Sequence, residues 1–163
     1  MPLQRDWLDD GSLLMLLPEA LLGEWHGVAT GDYDRACERA DSWLTLLPVD
    51  GGLGLLLGGD PGMALLLRDA SDMLTVVRWH YADGEDELVE FALRGEAIAA
   101  TEPDLVFENE RAAWVMFDSA SDPLADRPPM RFFELPAARI RVTTKFLESE
   151  RNAAIVHVFR PDV

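Results

Sequence analysis

The chain of 163 residues carries thirty acidic against fourteen basic side chains, a formal charge of −16, and 48% of its residues are apolar. That length and apolar content suit one domain burying roughly 68–70% of the surface its unfolded chain exposes, and the charge repels nucleic-acid backbones and anionic membranes while attracting cationic partners. The single cysteine, Cys37, excludes an intramolecular disulfide and argues against a thiolate zinc site.

The N-terminal stretch holds Asp6, Asp9 and Asp10 ahead of Leu13 to Leu17, an apolar run far too short for a signal peptide or a membrane span. A cytoplasmic location is expected. Ser12 to Leu17 reads as a buried strand, and Pro18 ends it and suits the first turn of a helix that puts Leu21, Leu22 and Trp25 on the core and stops at Gly27. A second short helix, from Asp32 to Asp41, has Asp32 as its natural cap, with Tyr33, Ala36, Cys37 and Ala40 at helical spacing. Cys37 is thereby expected to be a small core residue.

From Trp43 the pattern changes to short apolar runs separated by turns: residues 43–49, 53–58, 63–68 and 74–81, with turns at Asp50-Gly51-Gly52, Gly59 to Gly62 and Asp69 to Asp72. Their turn chemistry predicts antiparallel strands. In the last of these runs, period-2 geometry puts Val77, Trp79 and Tyr81 on one face and Leu74, Val76, Arg78 and His80 on the other. Trp79 is expected to be largely buried. Arg78 has three readings: a structural ion pair with an acid from the Asp32 to Asp34 or Asp118 regions, plain exposure, or direct function. A helix follows, capped by Asp83, with Leu88, Phe91 and Ala92 as its buried stripe and Gly95 at its left-handed end.

Beyond it, residues 104–108, 112–118, 130–135, 139–146 and 153–159 read as strands. Ser119 to Pro129 is the longest loop, polar and proline-rich, suited to being mobile or a contact loop. In the 139–146 strand Ile140, Val142, Thr144 and Phe146 point inward, while Arg139, Arg141 and Lys145 make a basic stripe that either pairs with nearby acids or binds a partner. The expected fold class is α+β: mainly antiparallel sheet with a few short helices, in a single domain over residues 1–163.

Enzymatic motifs fail. Gly51 to Gly59 lies between strands and lacks the lysine and helix of a phosphate loop, His26, His80 and His157 have no metal-ligand spacing, and Asp118-Ser119-Ala120 lacks the glycines of a nucleophile elbow. No metal, cofactor or catalytic residue is expected.

Leu17-Pro18, Trp25-x-Gly27, Asp32-Tyr33-Asp34-Arg35-Ala36-Cys37, Gly58-x-Asp60-Pro61, Arg78-Trp79-x-Tyr81-Ala82-Asp83 and Trp114-x-x-Phe117-Asp118-Ser119-Ala120 stand in that order. The series resembles the Immunity protein 21 family, over most of the chain. The resemblance implies an α+β fold and a protein that neutralises a toxin of a bacterial polymorphic toxin system by binding it. The motif positions Trp25, Asp32, Tyr33, Arg78, Trp79, Tyr81, Asp83, Trp114 and Asp118 are expected to be structural. Contacts to a basic toxin are expected instead from turn and loop acids that complete no apolar face: Asp50, Asp60, Asp69, Asp72, Asp122 and Asp126. Two rival readings stand beside this one: a small-ligand protein or enzyme with a pocket near Arg78, His80 and Asp83, and a structural or regulatory subunit.

Overall fold

The structure is a computed structural model, and it describes residues 5–9, 13–59, 63–68, 73–95, 97–135 and 137–163. In chain order it runs β1 (Leu14–Pro18), 3-10 segments at Glu19–Glu24 and Gly27–Ala29, α1 (Asp32–Arg39), β2 (Leu44–Val49), β3 (Gly52–Leu57), β4 (Ala64–Arg68), β5 (Leu74–Tyr81) and α2 (Glu85–Arg94). It continues with β6 (Ile98–Thr101), β7 (Leu105–Glu108), β8 (Ala113–Asp118), β9 (Arg131–Glu134), β10 (Arg139–Glu148) and β11 (Ala153–Pro161). This is the antiparallel-dominated α+β class that the short runs and turns predict.

The chain taken from sequence as one domain gathers its contacts in two compact units: Met1–Asp9, Pro61–Phe107 and Arg139–Val163 form the first, Asp10–Asp60 and Glu108–Ala138 the second. The expected run of four antiparallel strands is accordingly divided. The β2–β3 hairpin belongs to a sheet of order β2-β3-β1-β8-β9, and the β4–β5 hairpin to one of order β4-β5-β11-β10-β6, in which β7 also pairs with β10.

In the second unit β1 is central, pairing Leu14 with both Leu57 and Asp118, and all five of its residues are buried. An unbroken apolar run at that place is what a strand covered on both faces requires. Met15, Leu17, Leu21, Leu22, Trp25, Ala36, Leu47, Val49, Leu56, Val115 and Phe117 form its core. In the first unit β11 lies between β5 and β10, pairing Ile155 with Arg78 and His157 with both Val76 and Thr144. One face of this sheet is covered by α2, whose Leu88, Phe91 and Ala92 pack with Val77, Leu147, Ala154 and Val156. Gly95 ends α2 in the left-handed region (φ 64), donating its N–H to the Phe91 carbonyl.

Several expectations are corrected. Cys37 is exposed, and Ala36 is the only buried residue of α1. Ala36 and Ala40 pack against the core; at 100° per residue Cys37 lies beside their stripe rather than on it, and a two-turn helix on a surface buries one narrow line. The cap of α1 is Gly31, not Asp32, and that of α2 is Gly84, not Asp83. The first helix is a 3-10 segment, Glu19–Glu24, that gives way to extended backbone at Trp25 rather than stopping at Gly27, where a second 3-10 segment begins. Trp79 is half-buried, set edge-on to Trp7 with ring centroids 5.3 Å apart, because β5 leaves the core toward its C-terminal end, where His80 and Tyr81 are exposed.

Candidate functional site

The second unit brings together motif residues far apart in the chain. Trp25 is fully buried, and its indole N–H donates to the Ser119 carbonyl at 2.8 Å across 94 positions. Ser119 donates its backbone N–H to the Leu13 carbonyl at 2.8 Å, and its hydroxyl donates to the same oxygen. Asp118 accepts the Ala120 N–H on its carboxylate at 2.9 Å, and the Ala120 carbonyl in turn accepts the Val28 N–H at 3.0 Å. Gly27 stands at this crossing with φ +58, and a Cβ there would lie 2.2 Å from the Ala120 carbonyl oxygen. Trp25-x-Gly27 and Asp118-Ser119-Ala120 are thus two halves of one buried knot, and only glycine fits its centre.

The expected loop beyond Asp118 is anchored by its own carboxylates. Asp122 Oδ1 accepts the N–H groups of Leu124 and Ala125 at 3.1 and 3.0 Å, its Oδ2 lies 2.9 Å from His26 Nδ1, and Asp126 accepts the Asp122 N–H at 2.7 Å. The bond to Asp122, helped by the nearby charges of Asp32 and Glu24, raises the His26 pKa above its ordinary value. That same bond, with the N–H groups of Ala125 and Leu124, holds Asp122 below its own. Asp32 closes the other side, accepting the His26 backbone N–H at 2.9 Å and lying 3.6 Å from Arg35, whose guanidinium sits 5.9 Å from the Trp25 ring centre.

Two apolar side chains stand out from this framework into solvent, Val28 at 66% and Leu124 at 59% exposure. Gly23 lies under Leu124, where a Cβ would be 3.7 Å from its Cδ1. The surface around them carries Glu24, Asp32, Asp122 and Asp126, with Arg35 and Arg127 as the neighbouring cations. Asp122 and Asp126 are the two sequence-predicted contact residues on this surface, and His26, Val28 and Leu124 join them only in the structure. A leucine isolated in a polar, proline-rich loop was the available signal.

The other sequence-predicted residues fall elsewhere. Asp50 is exposed in the β2–β3 turn; Asp60, Asp69 and Asp72 lie outside the described residues. Tyr33 is half-buried on α1. Trp114 is buried and donates its indole N–H to Asn109 Oδ1 at 3.1 Å and the Arg111 carbonyl at 2.9 Å. Tyr81 is exposed and donates its hydroxyl to the Ser149 carbonyl at 3.0 Å. Arg78 is only 1% exposed, which removes the plain-exposure reading, whereas His80 and Asp83 are exposed. The pocket considered around these three therefore has its arginine out of solvent's reach. The Arg139 and Arg141 side chains pair with Asp162 at 2.9 and 2.8 Å, and Arg141 also with Asp104 at 3.4 Å. Those two members of the basic stripe are thus paired with acids, the structural alternative for that face.

Among the described residues no group of three or more His, Cys, Asp or Glu is placed to hold a metal, and no helix is long and apolar enough to cross a membrane. An open depression in the second unit is lined by Glu19, Ala20, Arg111, Ala112 and Ala113, with Glu19 and Arg111 as its charged members.

In this acidic α+β chain the Trp25-x-Gly27 and Asp118-Ser119-Ala120 motif residues hold a surface loop in place. The family model for Immunity protein 21 matches residues 6–153, and the chain belongs to that family. No curated relative and no solved structure matches it.

Proposed function

We propose that the protein is the stoichiometric inhibitor of a toxin encoded beside it, acting in the cytoplasm by covering the toxin's active site, without catalysis. Family membership carries this reading, and the charge of −16 supports a basic toxin as the partner, since opposite charge raises encounter rates and disfavours other acidic partners. Neither nucleic acid nor a membrane is the partner. An interface of standard size, about 1,600 Å² in all, suffices.

Titration against the neighbouring toxin domain tests the reading. Toxin activity is expected to fall linearly and reach its floor at one inhibitor per toxin. Protection by substoichiometric inhibitor, through consumption of the toxin or reversal of its damage, would overturn it.

A further inference from the structure

We infer that the face of the second unit centred on Val28 and Leu124, and bordered by Glu24, Asp32, Asp122 and Asp126, is the surface that docks the basic toxin. This rests on the proposed inhibitor role and goes beyond it by fixing the place.

Three independent observations converge there. Val28 and Leu124 are held in solvent at 66% and 59% exposure on one hydrogen-bonded framework. One exposed apolar side chain alone is ordinary, but two on one rigid framework with charged side chains around them have the apolar centre and polar rim of an interface. The framework is also fixed beforehand: Val28 is tied to Ala120, His26 to Asp122, Leu124 to Asp122 and Asp122 to Asp126. Binding there loses little additional loop entropy. Charge complementarity selects the occupant. The second unit contains fifteen acids against five bases, the first fifteen against nine, and three bases of the first unit, Arg139, Arg141 and Arg160, are engaged with Asp104 and Asp162. The acidic border of Val28 and Leu124 therefore fits a partner that presents lysines and arginines around an apolar anchor.

The experiment measures the affinity of the full chain for the inactivated toxin domain encoded beside it, by calorimetry, alongside the thermal midpoint of each variant. Leu124→Arg and Glu24→Lys are each expected to weaken binding at least tenfold, with the midpoint unchanged. Leu93→Arg, at an exposed position on α2 in the first unit, is expected to bind like the wild type. If Leu124→Arg lowers the midpoint, Leu124→Ser and Glu24→Lys decide. Wild-type affinity in the Leu124 and Glu24 variants would overturn this face while leaving the inhibitor role intact. Failure of the wild type to bind that toxin would overturn both. If instead the free protein dimerises and Leu124→Arg makes it monomeric, a second copy covers the face and the assignment falls.

Discussion

At the residue scale, two positions have consequences that separate packing from charge. A side chain at Gly27 meets both the positive φ of +58 and the Ala120 carbonyl, so Gly27→Ala is expected to cost more than the ~1–2 kcal/mol of a left-handed residue alone. Urea denaturation measures it; an unchanged midpoint would remove the glycine from the knot. His157 is fully buried, with its Nδ1 2.8 Å from Thr144 Oγ1. Burial first, and then the neighbouring Arg78 charge, hold its pKa well below the ordinary imidazole value. A histidine depressed in the folded state is protonated more readily when unfolded. Its stability penalty is therefore absent above pH ~6.5 and grows as the pH falls below that value, by at most about 1.4 kcal/mol per pH unit, until the folded pKa is reached. His157→Gln is expected to flatten this acid-side slope, and matched urea titrations between neutral and mildly acid pH would show it. His26 has the opposite sign: its raised pKa gives a contribution present at low pH and lost as pH rises through that value. The two histidines look alike in sequence, and only their surroundings set these signs.

At the scale of elements, strand positions were legible because period and turn chemistry are local. β5, running Leu74–Tyr81, lies where its β-branched and aromatic crowding predicts, and α2 ends at the glycine that predicts its end. Sheet membership was not legible, because β3 pairs with β1 and β8 with β1 through contacts of long sequence separation, on which turn residues are silent. β6, Ile98–Thr101, was missed altogether. Its four residues are all exposed and two of them are alanines, so it shows no alternation and little of the β-branched and aromatic enrichment that marks a strand. Helix depth was misjudged at α1, where spacing identifies a stripe but not its width. Exposed Cys37 is thus expected to react with a thiol reagent in the native protein, stoichiometrically and without denaturant, and protection until unfolding would return it to the core. For α2, Phe91 at 4% exposure packs deeper than half-buried Trp79. Phe91→Ala is accordingly expected to cost about 3–5 kcal/mol, and Trp79→Ala less, in denaturant titrations.

On the scale of the whole molecule, the charge of −16 acts at distances that no single contact reaches, and its effect belongs to the approach of the partner rather than to its retention. The sequence identifies this field and six turn and loop acids that could shape it, but it cannot rank them, because an aspartate serves a turn and a partner by the same carboxylate. The structure separates two cases. Both Asp122 oxygens are engaged within its own loop and with His26, whereas Asp50 is simply exposed in a hairpin turn. If a basic toxin is steered by this field, its association rate should fall about tenfold or more between roughly 0.01 M and 0.15 M salt, where the Debye length shrinks from about 30 to about 8 Å. Dissociation should change much less, because close contacts of low exposure are screened least. Asp50→Asn, and the same change at Asp60, Asp69 or Asp72, should each mimic a small increment of salt in the association rate alone. Asp122→Asn should behave differently, lowering stability and speeding dissociation together, because it loosens the loop that carries Leu124. Stopped-flow association across a salt series, paired with dissociation by displacement, distinguishes these outcomes. An association rate indifferent both to salt and to these substitutions would mean that the partner is not basic.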